Sequence, residues 1–412
     1  MKGQTRLTMT ALLIGIMTVT AANAQDQGFI YGKVSTIDGY IYEGAIRWDD
    51  EEVYWSEMFN AAKDENKNLR FLSANERDYL ETVSNERNSD SYWGISWEWN
   101  EGKNDFVHQF AVPFGAISSI VPTSRNKVRL TLRNGENVRL DGSGYNDIGA
   151  DVQVADSELG FITLDWDRIE KIEFSETPRK LKNKFGNPLS GTVDTRFGTF
   201  RGLIQWDHDE RIGSDKLDGD NSNGEVSISF DKLKSIERKG SRTSLVTLKS
   251  GRELELRGSN DVNDENRGVI VTNTRLGQID LDWMDFGKVE FDKQPDSGPA
   301  YNDFANIRKL KGEVLTTEGT SHKGQLIFDL DEEYDVEVLQ GKDDDAEYII
   351  PFRNITRITP KNWEYSTIEI GGGREILLGE SQDVSDKNQG VIVFEEGEKV
   401  YIPWNKVKQI SF

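Results

Sequence analysis

Apolar and polar residues alternate along this chain in short runs, and clusters of Gly, Asn and Asp interrupt them. Val128, Leu130 and Leu132 share one side of such a run, and Ile162, Leu164 and Trp166 share one side of another. The period is two rather than 3.6, so the pattern predicts short antiparallel strands and little helix. These runs recur. Three segments open alike at Gly32 to Thr36, Gly191 to Thr195 and Gly312 to Thr316, and each reaches an aromatic-Asp pair: Trp48 and Asp49, Trp206 and Asp207, Phe328 and Asp329. Further on, Gly135, Gly251 and Gly373 precede Trp166, Trp283 and Trp404 by 31, 32 and 31 residues, and each Trp precedes Phe174, Phe291 or Phe412 by 8.

The two halves of each segment echo each other. Phe114, Ile117 and Ile120 repeat the spacing of Trp166, Ile169 and Ile172, as do Phe230, Leu233, Ile236 and Phe352, Ile355, Ile358. That step suits one tight helical turn leading into a closing strand. The expectation is an all-β fold of three tandem repeats (25-176, 177-294 and 295-412), each a pair of small antiparallel β-barrel-like modules. Trp166, Trp283 and Trp404 are then core residues at equivalent places. Glu176 to Leu189, with Pro178 and Pro188, and Asp292 to Tyr301, with Pro295 and Pro299, read as linkers that permit relative motion.

In order of hairpin, turn glycines and late Ile-x-x-Ile step, each module resembles the Sm-like and Src-homology-3-like small barrels. The resemblance implies a strongly bent barrel. Sm proteins bind RNA through Asp-x-x-Asn and Arg-Gly motifs, but Glu52 stands where the Asn would follow Asp49, and Trp166, Asp167 and Arg168 replace the Arg-Gly. A net charge of −22 also repels phosphate backbones, so nucleic acid is not an expected partner. The three-repeat layout is similar to that of uncharacterised exported bacterial β-repeat proteins, which implies export and no particular activity.

The N-terminus agrees with export. Lys2 and Arg6 precede the apolar run Leu7 to Val19, and Ala22, Asn23 and Ala24 form an A-x-A cleavage pattern. Residues 1-24 therefore read as a secretion signal, with a mature periplasmic or secreted chain from Gln25. The run is shorter than the roughly 20 residues of a bilayer span, and no later segment is long enough. The chain has no Cys, so packing alone must hold the fold even where disulfides could form.

One feature breaks the symmetry. Asp49 lies 65 residues before Phe114, whereas Asp207 and Asp329 lie 23 before Phe230 and Phe352, which leaves an insertion of 42 residues, roughly 51-105, in the first repeat. It is rich in aromatic residues. Trp55, Tyr92, Trp93, Trp97 and Trp99 are the candidate ligand-binding residues, because such rings stack on sugars, peptides and partner proteins. The alternative is a satellite core beneath the loop, with a short helix around Ala74 to Val83.

The acidic groups at Asp49 to Glu52, Asp207 to Glu210 and Asp331 to Glu333 could hold Ca²⁺ or form an acid/base pair. Their recurrence at one hairpin position favours solvated turns instead. Asp218 to Gly224 fails as a calcium loop, since its Gly falls at position 7 and Ser229 stands at position 12. His108, His208 and His322 fit no ligand spacing, and no nucleophile motif occurs. No catalytic residue, metal ligand or cofactor is expected. The sequence points to an exported non-enzymatic binding or scaffolding protein, with an envelope or extracellular protein or glycan as partner. A carbohydrate-binding protein linked to glycoside hydrolysis is the alternative.

Overall fold

Period-two alternation becomes strand throughout the computed structural model, which describes residues 26–88 and 109–412. The expected secretion signal and Tyr92, Trp93, Trp97 and Trp99 lie outside the described residues. In the first repeat the strands are β1 (Tyr31–Thr36), β2 (Ile41–Trp48), β3 (Met58–Lys63), β4 (Gln109–Pro113), β5 (Ile117–Ser124), β6 (Lys127–Leu132), β7 (Asn137–Asp141), β8 (Val152–Asp156), β9 (Gly160–Leu164) and β10 (Ile169–Phe174). They form one antiparallel sheet in the order β4-β3-β7-β6-β5-β10-β1-β2-β8-β9.

This corrects the barrel expectation. The outermost strands β4 and β9 do not pair with each other, so the sheet is open, and the third repeat forms an open sheet of eight strands in the same way. The Sm-like and Src-homology-3-like resemblance therefore does not carry over. The echo between half-repeats has another cause: their closing strands pair antiparallel at the centre of one sheet. Ile120 faces Ile172, Ile236 faces Val289 and Ile358 faces Ile410. The aromatic-x-x-apolar step marks two halves of a sheet rather than two barrels. Tight 3₁₀ turns open five of the six steps, beginning at Phe114, Trp166, Phe230, Phe352 and Trp404.

Aromatic contacts join the halves. Trp48 meets Trp166 at 6.0 Å between ring centroids, Trp206 meets Trp283 at 5.8 Å, and Phe328 meets Trp404 at 5.9 Å, all edge to face. Such pairs add to the burial energy of rings already removed from water. Trp166, Trp283 and Trp404 are all buried.

The insertion begins later than the spacing suggested. β3 pairs with β4 as Lys216–Asn221 pairs with Gly224–Ser229 and Val338–Asp343 with Ala346–Pro351. The extra chain thus lies between Lys63 and Gln109, and Trp55 and Phe59 belong to the repeat itself. Trp55 is fully buried, 4.5 Å from the Tyr301 ring, and its Nε1 donates to Thr177 Oγ1 at 2.9 Å. It is a core residue and presents no face to a ligand, contrary to the expectation for it. The described part of the insertion holds a 3₁₀ turn (Lys67–Phe71) and one helix, α1 (Ala74–Asn88). Leu69, Phe71, Leu72 and Leu80 pack on Ile327, Leu330, Ile392, Phe394 and Tyr401. That segment fastens the first repeat to the third.

The repeats do not move as beads on linkers. Gly277–Leu281 of the second repeat pairs with Ala346–Pro351 of the third, and one apolar cluster runs through both. In the first joint, Thr177 is buried and donates to Phe29 O at 2.6 Å. In the second, Tyr301 enters the first repeat's core and donates to Ile117 O at 2.9 Å. Phe304 lies flat against Gly115, where a Cβ would meet the ring at 2.2 Å, so only glycine fits there. The expectation of relative motion gives way to packing, because each joint carries side chains that need an apolar home.

Candidate functional site

The recurring chemistry sits in the loop after the second strand of each repeat. Aligned on their aromatics, the loops run from Trp48 to Glu57, Trp206 to Asp215 and Phe328 to Glu337, and the last acid falls nine residues after the aromatic each time. The Trp48 N–H donates to Glu52 O at 2.8 Å, Trp206 to Glu210 O at 2.8 Å, and Phe328 to Glu332 O at 3.0 Å. To close so tightly, Asp49, Asp207 and Asp329 take left-handed backbone at φ 54°, 50° and 47°. Leu330 follows at φ 61°, a costly conformation for a bulky side chain. It persists because Leu330 is wholly buried in the cluster that the insertion covers.

The last acid of each loop folds back on its own backbone. Glu57 Oε2 accepts from Val53 N at 2.6 Å and Tyr54 N at 2.8 Å. Asp215 Oδ2 accepts from Arg211 N at 2.9 Å and Ile212 N at 3.1 Å. Glu337 Oε2 accepts from Glu333 N at 2.7 Å and Tyr334 N at 2.8 Å. The other oxygen of each receives a cation from a different repeat. Arg211 Nε lies 3.1 Å from Glu57 Oε1, an ion pair rather than an aligned hydrogen bond. Arg47 Nη1 lies 3.0 Å from Asp215 Oδ1, and Lys63 Nζ lies 2.8 Å from Glu337 Oε1 and 3.0 Å from Asp331 Oδ2. These loops are sockets.

Burial makes the sockets consequential. Arg211 and Glu57 are 3% and 1% exposed, where neither charge persists without the other. Burial pulls the Lys63 ammonium down, but Asp331 and Glu337 more than offset this and hold it charged above the ordinary lysine range. Burial pushes Glu57 and Glu337 up, while Arg211 and Lys63 respectively pull them back. Earlier acids expected in solvated turns are buried as well: Glu52, Asp207, Asp331 and Glu332 all lie inside, as does Asp329.

Deeper in each loop is a second acidic group, more weakly served by cations: Arg267 Nε stands 3.7 Å from Asp207 Oδ1 and Arg211 Nη2 3.4 Å from Glu52 Oε1. Asp207, Glu210 and Asp261 bring one carboxylate oxygen each to within 4.8 Å of one another. Their counterparts are Asp329, Glu332 and Asp383 in the third repeat and Asp49, Glu52 and Asp147 in the first. The distal aspartates are positioned identically: Asp218 N donates to Asp261 Oδ2 and Gln340 N to Asp383 Oδ2, both at 2.6 Å, and Asn60 N donates to Asp147 Oδ2. Burial, reinforced by Asp261 and Asp207, pushes Glu210 up to about 9. Burial likewise pushes Asp261 up to about 6 and Asp147 and Asp383 up to about 7. Glu332 is raised well above the carboxylate range by burial and then by Asp331, Asp383 and Asp329.

A cavity of about 430 Å³ is bounded by Lys361, Asn362, Tyr365, Thr367 and Glu375, far along the third repeat's strands. His208 and His322 pair across strands with Asp280 and Glu395, and His108 lies outside the described residues.

Sequence reasoning missed the socket acids Glu57, Asp215 and Glu337, although their fixed distance from the aromatic was a signal. It also passed over Asp261 and Asp383, although an apolar residue follows each of them and Asp147 alike: Val262, Val384 and Ile148.

No protein-family model, curated protein or solved structure matches this chain.

Proposed function

We propose that this is an exported, non-enzymatic scaffolding protein that offers a rigid, strongly acidic three-repeat body to an envelope or extracellular partner. The observation that carries the reading is the set of acid sockets, through which the chemistry common to all repeats is spent on holding the repeats together. A body welded at three sockets, a shared strand pair and a clamping insertion is suited to presenting surface at fixed spacing. The order of charge, apolar run and Ala-x-Ala in residues 2 to 24 supports export. No helix among the described residues is long and apolar enough to cross a membrane.

The test is a binding experiment paired with an activity screen. Purified mature chain should retain a saturable, stoichiometric partner from envelope extract and leave glycoside-hydrolysis assays at background. Turnover of a glycan substrate, or no retained partner under any ionic strength tried, would overturn the reading.

A further inference from the structure

A metal-binding role goes beyond scaffolding. The second repeat's inner acidic group differs from the sockets in one respect: among the described residues no cation pairs with Glu210, whereas Arg211 reaches Glu52. The Oε2 atoms of Glu52, Glu210 and Glu332, the same atom in three repeats, are each buried without a hydrogen-bond partner. Glu52 and Glu332 are 6% exposed as whole residues, so water does not compensate them. A buried carboxylate oxygen with neither donor nor cation is costly, and its recurrence at one position of a repeat calls for a common cause.

In the first repeat a guanidinium partly supplies that cause, since Arg211 Nη2 stands 3.4 Å from Glu52 Oε1. In the second, Glu210 shares its pocket with Asp207 and Asp261 at mutual distances within 4.8 Å. In the third, the Lys63 ammonium goes to Asp331 and Glu337, and among the described residues Asp329, Glu332 and Asp383 do not draw together as the second repeat's three carboxylates do. The aspartates are held ready by the chain itself. Asp207 accepts from Asn260 Nδ2 and Arg267 N, and Asp329 accepts from Gln382 Nε2 and Gln389 N, at matching positions. Fixing ligand carboxylates by such outer hydrogen bonds is how proteins prearrange an ion site.

We propose that the second repeat binds one divalent cation of the Ca²⁺ class, at Asp207, Glu210 and Asp261, and that the first and third repeats bind none. All-oxygen carboxylate donors select a hard ion. Ligands about 2.3–2.6 Å from Ca²⁺ stand up to about 5 Å apart, so three carboxylate oxygens within 4.8 Å of one another can share one such ion. Backbone carbonyls and water would complete the shell.

The experiment counts bound ions on the mature chain by native mass spectrometry and calorimetric titration with Ca²⁺, at pH 7.5. Wild type should bind one. E210Q, which keeps shape and removes charge, should bind none, and E52Q and E332Q one each, with far-UV circular dichroism unchanged. Tb³⁺ gives a second readout: the Trp206 indole donates to Asp261 O at 3.0 Å, so excitation of tryptophan should sensitise bound Tb³⁺, and E210Q should weaken that emission. No Ca²⁺ bound by wild type, or a count unchanged in E210Q, overturns the proposal; the first result, with E210Q melting higher in metal-free buffer, identifies a shared proton between the carboxyls instead. Neither result bears on the scaffolding reading, which is tested by partner retention.

Discussion

Replacing Arg211 by Met removes the cation from the first repeat's socket while keeping an unbranched side chain of similar length. Glu57, 1% exposed, would then face Glu51 and Glu52 with no guanidinium among them. Two backbone N–H groups and the Gln205 amide, 2.7 Å from Glu57 Oε1, would remain. Those bonds hold the carboxylate in place but do not neutralise it. Breaking a buried ion pair in this way costs about 3–5 kcal/mol. In R211M/E57Q the amide oxygen still accepts from Val53 and Tyr54, and the socket itself no longer holds a charge although Glu52 still loses its cation, so a coupling of at least about 2 kcal/mol is expected between the two sites. Urea unfolding of the four proteins at pH 7, followed by tryptophan fluorescence with a common denaturant slope, measures the cycle. A loss below about 1 kcal/mol for R211M, the level of an exposed pair, or strict additivity of the two changes would refute the socket argument.

Other predictions follow from the same residues. Glu210, Asp261, Asp147 and Asp383 are raised in the folded chain, so the folded state binds more protons than the unfolded state between about pH 4 and pH 9. The contribution of these groups to stability in metal-free buffer should therefore be full below about pH 4 and be lost as pH rises to about 9, each titrating group contributing up to about 1.4 kcal/mol per pH unit; a melting temperature that rises between pH 7 and 9 contradicts the assignment. Trp283→Ala should cost about 3–5 kcal/mol, because the ring is buried against Trp206 and Phe286, and denaturant titration reads it directly. Leu72→Ala, at the far end of the insertion's contact with the third repeat, should cost about 2–3 kcal/mol by the same assay; no change would mean the insertion is not a clamp.

Much of the architecture was legible because strands leave a period-two trace and repeats repeat it. The edge-to-face meeting of Trp48 with Trp166 is the physical reason both aromatics recur at fixed spacing. Closure was not legible. A tight turn followed by Ile-x-x-Ile is compatible with a barrel and with two half-sheets sharing their last strands, and only long-range pairing such as Ile120 with Ile172 decides. The insertion was misplaced because the anchor at Phe114 follows it, while Trp55 and Phe59, aromatic in the first repeat alone, matched Gly213 and Leu217 poorly by eye. The sockets were hidden for a different reason. Acidic residues in hairpin loops are usually solvated, and their burial here depends on Arg47, Lys63 and Arg211, which sit in ordinary surroundings until three repeats come together. Charge pairing across such separations leaves no local pattern.

The claim that the three repeats are welded into one body is tested most directly by differential scanning calorimetry of the mature chain. The interlocked arrangement predicts a single transition whose calorimetric and van't Hoff enthalpies agree. Two or three resolved transitions, or a calorimetric enthalpy exceeding the van't Hoff value two- to threefold, roughly as independent repeats would give, would contradict it.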